Sequence, residues 1–595
     1  MPELSEAITA IKEGAKEDAF TYLTILQYNV TSPDVLPALS QVLESNPKLT
    51  QEIGWDLVQI LLNIEGSETC LESVARLGNP REVIIKVMEA LDGLSAKSSD
   101  EAADDAAEKA EDNSPEIKAP EKFVTLLGML AILHRRIKTK YPSRFLAQSL
   151  VKVYEAYQPT PEMTAAVINL VRSRSGQKRP PLPTRKSSIN VANPDQDGDA
   201  SKNAPDPEAE QEDPTEEQLQ KKLLQSFVTC VLQRYVNQNW MQWSARLLEQ
   251  HHPERKIPGG KTITQAYNED DELHQRDHTV GQLVALTRDL GLRDPSASFV
   301  KSIYESATGF DPMASYDDFS TPDQIRLSPG GIVCLIAYWL FSTDVFQADN
   351  PQPEMHIFPD HLTLLERFLS GAAAQTEIDR NPGMGDALLT IGLALYQRDL
   401  ITEGAEVNIM AYHHHLTLIA VFHPDLQVRN AATTFAGTIL HSDPDDQGRF
   451  EILEDLFENC AFASLKACAV TWLKEELIST RKSSSSGIFS SPDIIDRLQY
   501  DIFPDSLSLK DNSDDELVEY WFENSIFLLQ VANFAYFLFG GRTDLLPPGV
   551  GAAVEQRFVE PLIEAAEKTL KFEGLPNTQA MDLAILVDRL KSLPI

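Results

Sequence analysis

The chain has 595 residues, 52 of them Lys or Arg and 89 Asp or Glu, for a formal net charge of −37. That balance excludes a protein that coats nucleic-acid phosphates or an anionic membrane surface, because there is no basic excess to release counterions; a basic partner or a basic patch suits it better. Hydrophobic residues make up 42%, enough for a substantial core. The first residues (MPELSEAITAIKEGAKEDAF) are acidic and amphipathic, unlike the basic region and apolar core of a secretory signal.

Apolar residues three and four apart then predict helices at 17–29, 34–46, 50–64, 67–77 and 80–94. Turn signals separate them, among them Asn46-Pro47 and Gly78-Asn79-Pro80. Together they make a block of helical repeats over 1–94. Residues 95–118 hold almost no large apolar side chain, and 98–116 carry eight acids and one Lys. Such a stretch cannot bury enough surface to offset its ordering entropy, so a disordered acidic linker is expected. Helices at 120–138, 143–158 and 161–174 make a second block, 119–174. Residues 175–217 begin basic and Pro-rich (SGQKRPPLPTRKSS) and turn acidic, with ten acids and one Lys over 195–217, so a second disordered linker is expected. The central HEAT-like block, 218–480, takes helices at 216–250, 279–290, 296–307, 329–344, 361–375, 383–399, 404–421, 426–441, 448–460 and 463–479. A Ser-rich linker at 481–491 leads to a C-terminal helical region, 492–595, with helices at 492–500, 514–539, 552–571 and 578–592. No run alternates with period two, so no sheet is expected. The most apolar runs, 331–341 and 526–539, read as buried helices. The first is shorter than the roughly 20 residues a bilayer span needs, and the second carries Gln530 and Asn533.

An internal repeat sets the fold class. Residues 423–436 (HPDLQVRNAATTFA) and 460–473 (CAFASLKACAVTWL), offset by 37 residues, align Val428 with Leu465, Ala432 with Ala469 and Phe435 with Trp472. Each follows another amphipathic helix. A period near 40 with paired helices lies in the HEAT or armadillo range, so the chain is expected to be all-α, an α-solenoid of stacked helix pairs with long disordered acidic insertions. Val428, Ala432, Leu465, Ala469 and Trp472 should lie between repeats.

The search for chemistry nominates no catalytic, cofactor-binding or metal residue. Gly259-Gly260-Lys261-Thr262 ends like a P-loop, but Arg255 stands where its first glycine belongs and no strand precedes it, so a turn is expected. His274 and His278 share a helix face, yet Gln275 replaces the Glu of a metalloprotease helix, and a solvated face is the better account. His413, His414 and His415 point about 100° apart on a helix and cannot converge on one ion. Trp240 and Trp243 fit core positions better than an exposed partner anchor. The cysteines Cys70, Cys230, Cys334, Cys460 and Cys468 are dispersed, without a C-x-x-C pair, as suits reduced thiols in a core. Pro180-Pro181-Leu182-Pro183-Thr184-Arg185 fits a P-x-x-P-x-R ligand for an SH3 domain. The flanking Lys178-Arg179 and Arg185-Lys186 fit a nuclear-import patch. Arg185-Lys186-Ser187-Ser188 and Arg481-Lys482-Ser483-Ser484 fit basophilic kinase targets.

Residues 50–62 (TQEIGWDLVQILL) and 77–91 (LGNPREVIIKVMEAL) carry a resemblance to the YAP-binding/ALF/glomulin family, fungal members above all, through the blocks Gly54–Val58 and Gly78–Val83. The resemblance implies a HEAT-like, non-catalytic adaptor without cofactors. Its implied partners are an AP-1-like bZIP transcription factor, or a thiol peroxidase, in the oxidative-stress response. The alternatives it implies are a glomulin-like inhibitor that binds the RING subunit of a cullin ubiquitin ligase, and a kinetochore-associated scaffold. No nucleic acid or membrane is bound directly on this reading. The expected location is the cytoplasm, with the nucleus as a second site, and no family contact residue maps onto a numbered position here.

Overall fold

Helix boundaries follow from local chemistry. Proline stands in the first turn of the helices that begin at Pro47, Pro142, Pro161, Pro329 and Pro382, where its missing N–H has no intrahelical partner to lose. Elsewhere a side-chain oxygen takes up orphan amides. Asp18 accepts from the Phe20 and Thr21 amides, and Asp425 from those of Gln427 and Val428. Ser513 and Glu516 form a reciprocal capping box.

The structure is a computed structural model that describes residues 4–101, 118–175, 203–206, 211, 213–255, 258–293, 296–305, 311–369, 374–402, 404, 406–483, 487–572 and 575–595. It divides into two compact units, Met1–Met241 with Ile257–Glu354 and Gln242–Lys256 with Met355–Ile595. The first unit contains α1 (Leu4–Gly14), α2 (Ala19–Asn29), α3 (Leu36–Ser45), α4 (Pro47–Leu61), α5 (Glu68–Leu77), α6 (Pro80–Glu101), α7 (Ala119–Arg136), α8 (Pro142–Ala156), α9 (Pro161–Arg174) and α10 (Glu216–Gln238). Helix α11 (Trp243–His251) belongs to the second unit, and the chain returns to the first for α12 (Ile263–Glu269), α13 (Asp271–Asp289), α14 (Ala297–Glu305) and α15 (Pro329–Phe346). The second unit continues with α16 (Asp360–Leu369), α17 (Ala374–Arg380), α18 (Pro382–Gln397), α19 (Ile409–Phe422), α20 (Leu426–Ser442), α21 (Asp446–Asn459), α22 (Ala463–Ser483), α23 (Asp493–Ile502), α24 (Asp514–Gly541), α25 (Val550–Val554), α26 (Glu560–Thr569) and α27 (Asn577–Lys591).

Packing runs between every second helix. In the first unit α1, α3, α5, α7, α9 and α13 touch in series, and α2, α4, α6, α8, α10 and α15 make the parallel row. In the second unit α18, α20, α22 and α24 form one row and α19, α21 and α23 the other. Two stacked rows joined by short turns are an α-solenoid, and the protein is all-α. Among the described residues, β pairing is limited to one isolated parallel bridge between Phe358 and Thr402. The repeat positions Val428, Ala432, Leu465, Ala469 and Trp472 are all buried. Trp472 reaches α20 at Gly437, where a Cβ would meet the indole nitrogen. The rows of the first unit show the same device: a Cβ on Gly331 of α15 would run into the Thr229 carbonyl of α10.

Several local expectations change. Residues 216–250 are two helices, broken at Gln242, whose φ is +52°. Helices α1 and α12 are additional, and α13 starts at Asp271, eight residues before the expected 279, because Asp270 caps it by accepting from the Glu272 and Leu273 amides. The 552–571 segment is interrupted by a π-helical turn at Glu555–Val559. Helix α6 runs to Glu101, seven residues past the boundary expected at 94. The Ser-rich linker is anchored, since Phe489 is fully buried with the Arg449 guanidinium 5.5 Å from its ring centre.

Candidate functional site

The two family-like blocks meet in space. A Cβ on Gly54 of α4 would come within 3.3 Å of the Gly78 Cα and of Val83, so the first block lies directly on the second. Arg136 of α7 fastens the same corner by donating to the carbonyls of Ala75 and Gly78 at 2.7 and 2.8 Å, and burial pushes its pKa down to about 10, leaving it charged at neutral pH. Leu57, Val58 and Leu61 are buried, whereas Trp55 is half-buried beneath Lys86, whose Nζ is 5.3 Å from its ring centre. These residues hold a helix junction.

Part of the second expected linker also docks here. Ala204 donates its amide to Arg76 O at 3.0 Å and accepts from Arg136 Nε at 3.0 Å. The Asp206 carboxylate, fully buried, accepts from the Lys138 amide at 2.9 Å and lies 3.5 Å from Arg81 Nε. Residues 203–206 are therefore part of the first unit's surface rather than a disordered insertion. The 180–185 motif, the basic pairs beside it and Ser187 and Ser188 lie outside the described residues, while Arg481, Lys482 and Ser483 end α22.

A well-defined concave feature belongs to the second unit, a cleft of about 800 Å³. Its apolar surface comes from Ile357, Phe358, Tyr396, Ile401, Ile439 and Ile452, with Val407 and Met410 at its exposed edge. Ile357 and Phe358 are held by donating their amides to the carbonyls of Leu400 and Ile401 at 2.9 Å. Among the described residues four carboxylates border the cleft, Asp399, Asp443, Asp445 and Glu451, and no Lys, Arg or His lines it. The Asp443–Asp446 turn that carries two of them is fixed from behind. Arg449 donates to Asp443 O, to Asp446 and, at 3.1 Å, to Glu476. His441 bridges Glu476 and Glu475 at 2.6 and 2.8 Å. Burial works against charge on His441, but the hydrogen bonds and charges of Glu475 and Glu476 outweigh it and raise the imidazole to about 9.

The residues singled out in the sequence fall elsewhere. His274 and His278 are exposed on α13. His413 and His415 are buried and His414 is exposed; burial lowers the first to about 3 and the second to about 4, so both are neutral. Trp243 is fully buried, but Trp240 is 39% exposed, which corrects the expectation of a core position for it. Burial raises the thiols of Cys70 and Cys468 to about 11 and that of Cys460 above its ordinary value, so little thiolate forms at neutral pH. Among the described residues no group of three or more His, Cys, Asp or Glu is placed to hold a metal ion. Sequence reasoning missed the cleft because its walls come from segments up to 95 positions apart, Ile357 to Ile452, and no local motif announces it.

Stacked helix rows, a carboxylate-bordered cleft and helix-junction glycines define a helical-repeat protein with a concave, acidic surface. The chain belongs to the family described as YAP/Alf4/glomulin, an uncharacterised protein family, whose model matches residues 1–587. No curated protein and no solved structure gives a significant match to it.

Proposed function

We propose that the protein is a non-catalytic adaptor whose second unit captures a basic segment of another protein in the acid-bordered cleft. The observation that carries this is the pairing of an apolar floor with four carboxylates and, among the described residues, no lining cation. An apolar anchor flanked by Lys or Arg satisfies both parts of such a site, and long-range attraction speeds its arrival. The basic region of an AP-1-like bZIP transcription factor has this chemistry, so family membership and the site's charge favour that partner, and a role in its activation by peroxide. Three buried thiols, and two half-buried ones raised above their ordinary pKa, favour a thiol peroxidase, rather than this chain, as the source of redox chemistry. Action in the cytoplasm, with access to the nucleus, is part of the same proposal.

The test is titration of the full chain with the basic-region peptide of such a factor at low and high salt. Wild type should bind with an affinity that falls as salt rises, and Asp445→Lys with Glu451→Lys should weaken binding by about tenfold or more. Equal binding by the charge-reversed protein would overturn the assignment to this cleft. No basic-region binding, together with inhibition of a cullin–RING ligase in an in vitro ubiquitination assay, would replace it with the RING-binding reading.

A further inference from the structure

Helix α24 is long and apolar enough to cross a membrane by length and composition, yet only half of its most apolar stretch is buried. Trp521, Leu528, Val531, Ala535 and Leu538 face inward, on the side that packs against α22 and α27. What remains outside is ordered. Phe522, Ile526, Leu529, Asn533 and Tyr536 follow one another at spacings of four, three, four and three, which keeps them along one side of the helix. Phe522 is 84% exposed, Ile526 64% and Tyr536 50%. Scattered apolar surface residues need no explanation, but a continuous stripe with heptad spacing does.

The stripe borders a groove of about 460 Å³. Ile526 and Gln530 form one wall, Cys468 and Thr471 of α22 lie on the floor, and Leu426 and Arg429 of α20 form the opposite wall. Leu426 is itself 55% exposed. Gln530 donates to Thr471 at 2.8 Å, which fixes α24 against the floor. Arg429 Nε is buried and makes no hydrogen bond. The groove shares no lining residue with the acid-bordered cleft.

Two features select the occupant. Asn533 stands within the stripe; a polar residue at a seam position sets register with a partner helix and is poorly suited to lipid. Asp515, Glu519 and Glu523 are exposed on the early turns of α24, which has no Lys or Arg along its length. We propose that this groove docks one amphipathic α-helix of a partner protein, with apolar residues at the same four–three spacing and Lys or Arg at the end that meets Glu519 and Glu523. This surface is additional to the cleft and does not depend on the function proposed for it.

The test uses the full chain and fluorescein-labelled synthetic helices of about 21 residues, three heptads, with Leu at the seam positions. One peptide carries Lys in its N-terminal third, one in its C-terminal third, and a control carries Glu instead. One of the basic peptides should bind in anisotropy titrations, and the Glu control should bind more weakly. Ile526→Glu and Phe522→Glu should each weaken binding about tenfold or more, as expected for loss of an apolar anchor. Leu426→Glu, on the opposite wall, should do the same without touching α24. Circular-dichroism melts should be unchanged, since all three side chains are exposed. No peptide binding, or equal binding by wild type and Ile526→Glu, would overturn the proposal. So would a wild-type dimer in sedimentation that Ile526→Glu dissociates, which makes a second copy the occupant. Flotation with phosphatidylcholine–phosphatidylserine vesicles that is lost in Ile526→Glu would overturn it in favour of lipid.

Discussion

Asp386 and His441 are polar residues whose importance comes from what they hold. The Asp386 carboxylate is buried and accepts from the amides of Trp243 and Ser244 at 2.8 and 3.0 Å and from the Ser244 hydroxyl at 2.5 Å. It caps α11 from 143 residues away in the sequence. Asp386→Ala would leave those donors unpaired beside a fully buried Trp243, and the expected loss is about 2–4 kcal/mol in urea unfolding. His441 makes a different prediction. Its pKa is raised from an ordinary 6.5 to about 9 in the folded protein, so folding binds a proton there between those values. The stabilisation is full below about pH 6.5 and is lost as pH rises through about 9. Wild type should therefore exceed His441→Gln in melting temperature at about pH 6.5, and the gap should close by about pH 10. A gap independent of pH would show that His441 acts through packing alone. His361 has the opposite sense: it is buried between Tyr412 OH at 2.8 Å and Leu388 O at 2.9 Å, and burial lowers it to about 4. It contributes a loss of stability as pH falls below 6.5.

The helix junctions test the repeat directly. Ala432 and Ala469 are fully buried where α20 and α22 meet their neighbours, so a Leu at either position should overpack the junction and cost about 1–3 kcal/mol, read from the shift in urea midpoint. The same residues were legible in the sequence, because a 37-residue offset brought small and large apolar positions into register. Helices with clear apolar periodicity, such as α20, α22 and α24, could be placed within a few residues. What could not be read has a common physical cause. The break at Gln242 uses a left-handed backbone conformation without Gly or Pro to mark it. Helix α12 (ITQAYNE) is short and polar and is secured by a Thr262–Gln265 capping box. The Ala204–Asp206 segment is held by main-chain hydrogen bonds and one carboxylate, an arrangement with no hydrophobic signature. Asp425, which caps α20, also accepts from Gln242 at 2.6 Å, a contact across 183 positions that no local pattern announces. Both concave surfaces are assembled from turns and helix faces distant in the chain, so composition could indicate only that a basic partner suits them.

For the molecule as a whole, the distribution of charge separates two roles for acid. Residues 98–116 and 195–217 carry eight and ten acids, yet Asp206, one of the ten, is a buried structural group beside Arg81. Two of the four cleft carboxylates sit on the turn that Arg449 braces, and charges held in place recognise a partner's pattern rather than only its sign. Arg81→Gln should accordingly loosen residues 203–206, seen as faster proteolysis near Asn203, without changing peptide affinity at the cleft. Unchanged cleavage would show that the Ala204 main-chain contacts suffice.

The path of the chain has a further consequence in time. Residues 242–256 belong to the second unit, although the chain then returns to finish the first before the rest of the second is made. During synthesis Trp243 and the α11 amides emerge well before Asp386, the group that completes them, so the α11 segment must wait through roughly ten seconds of elongation at typical rates of about 5–20 residues per second. A nascent chain halted near Glu354 would display a large indole with nothing to cover it, the kind of surface that chaperones hold. The fragment 1–354, made alone, should fold its helix rows but be cut preferentially between 242 and 256, and adding 355–595 in trans should restore protection there. The exchanged segment thus makes completion of the second unit a checkpoint that residues 1–354 alone do not pass.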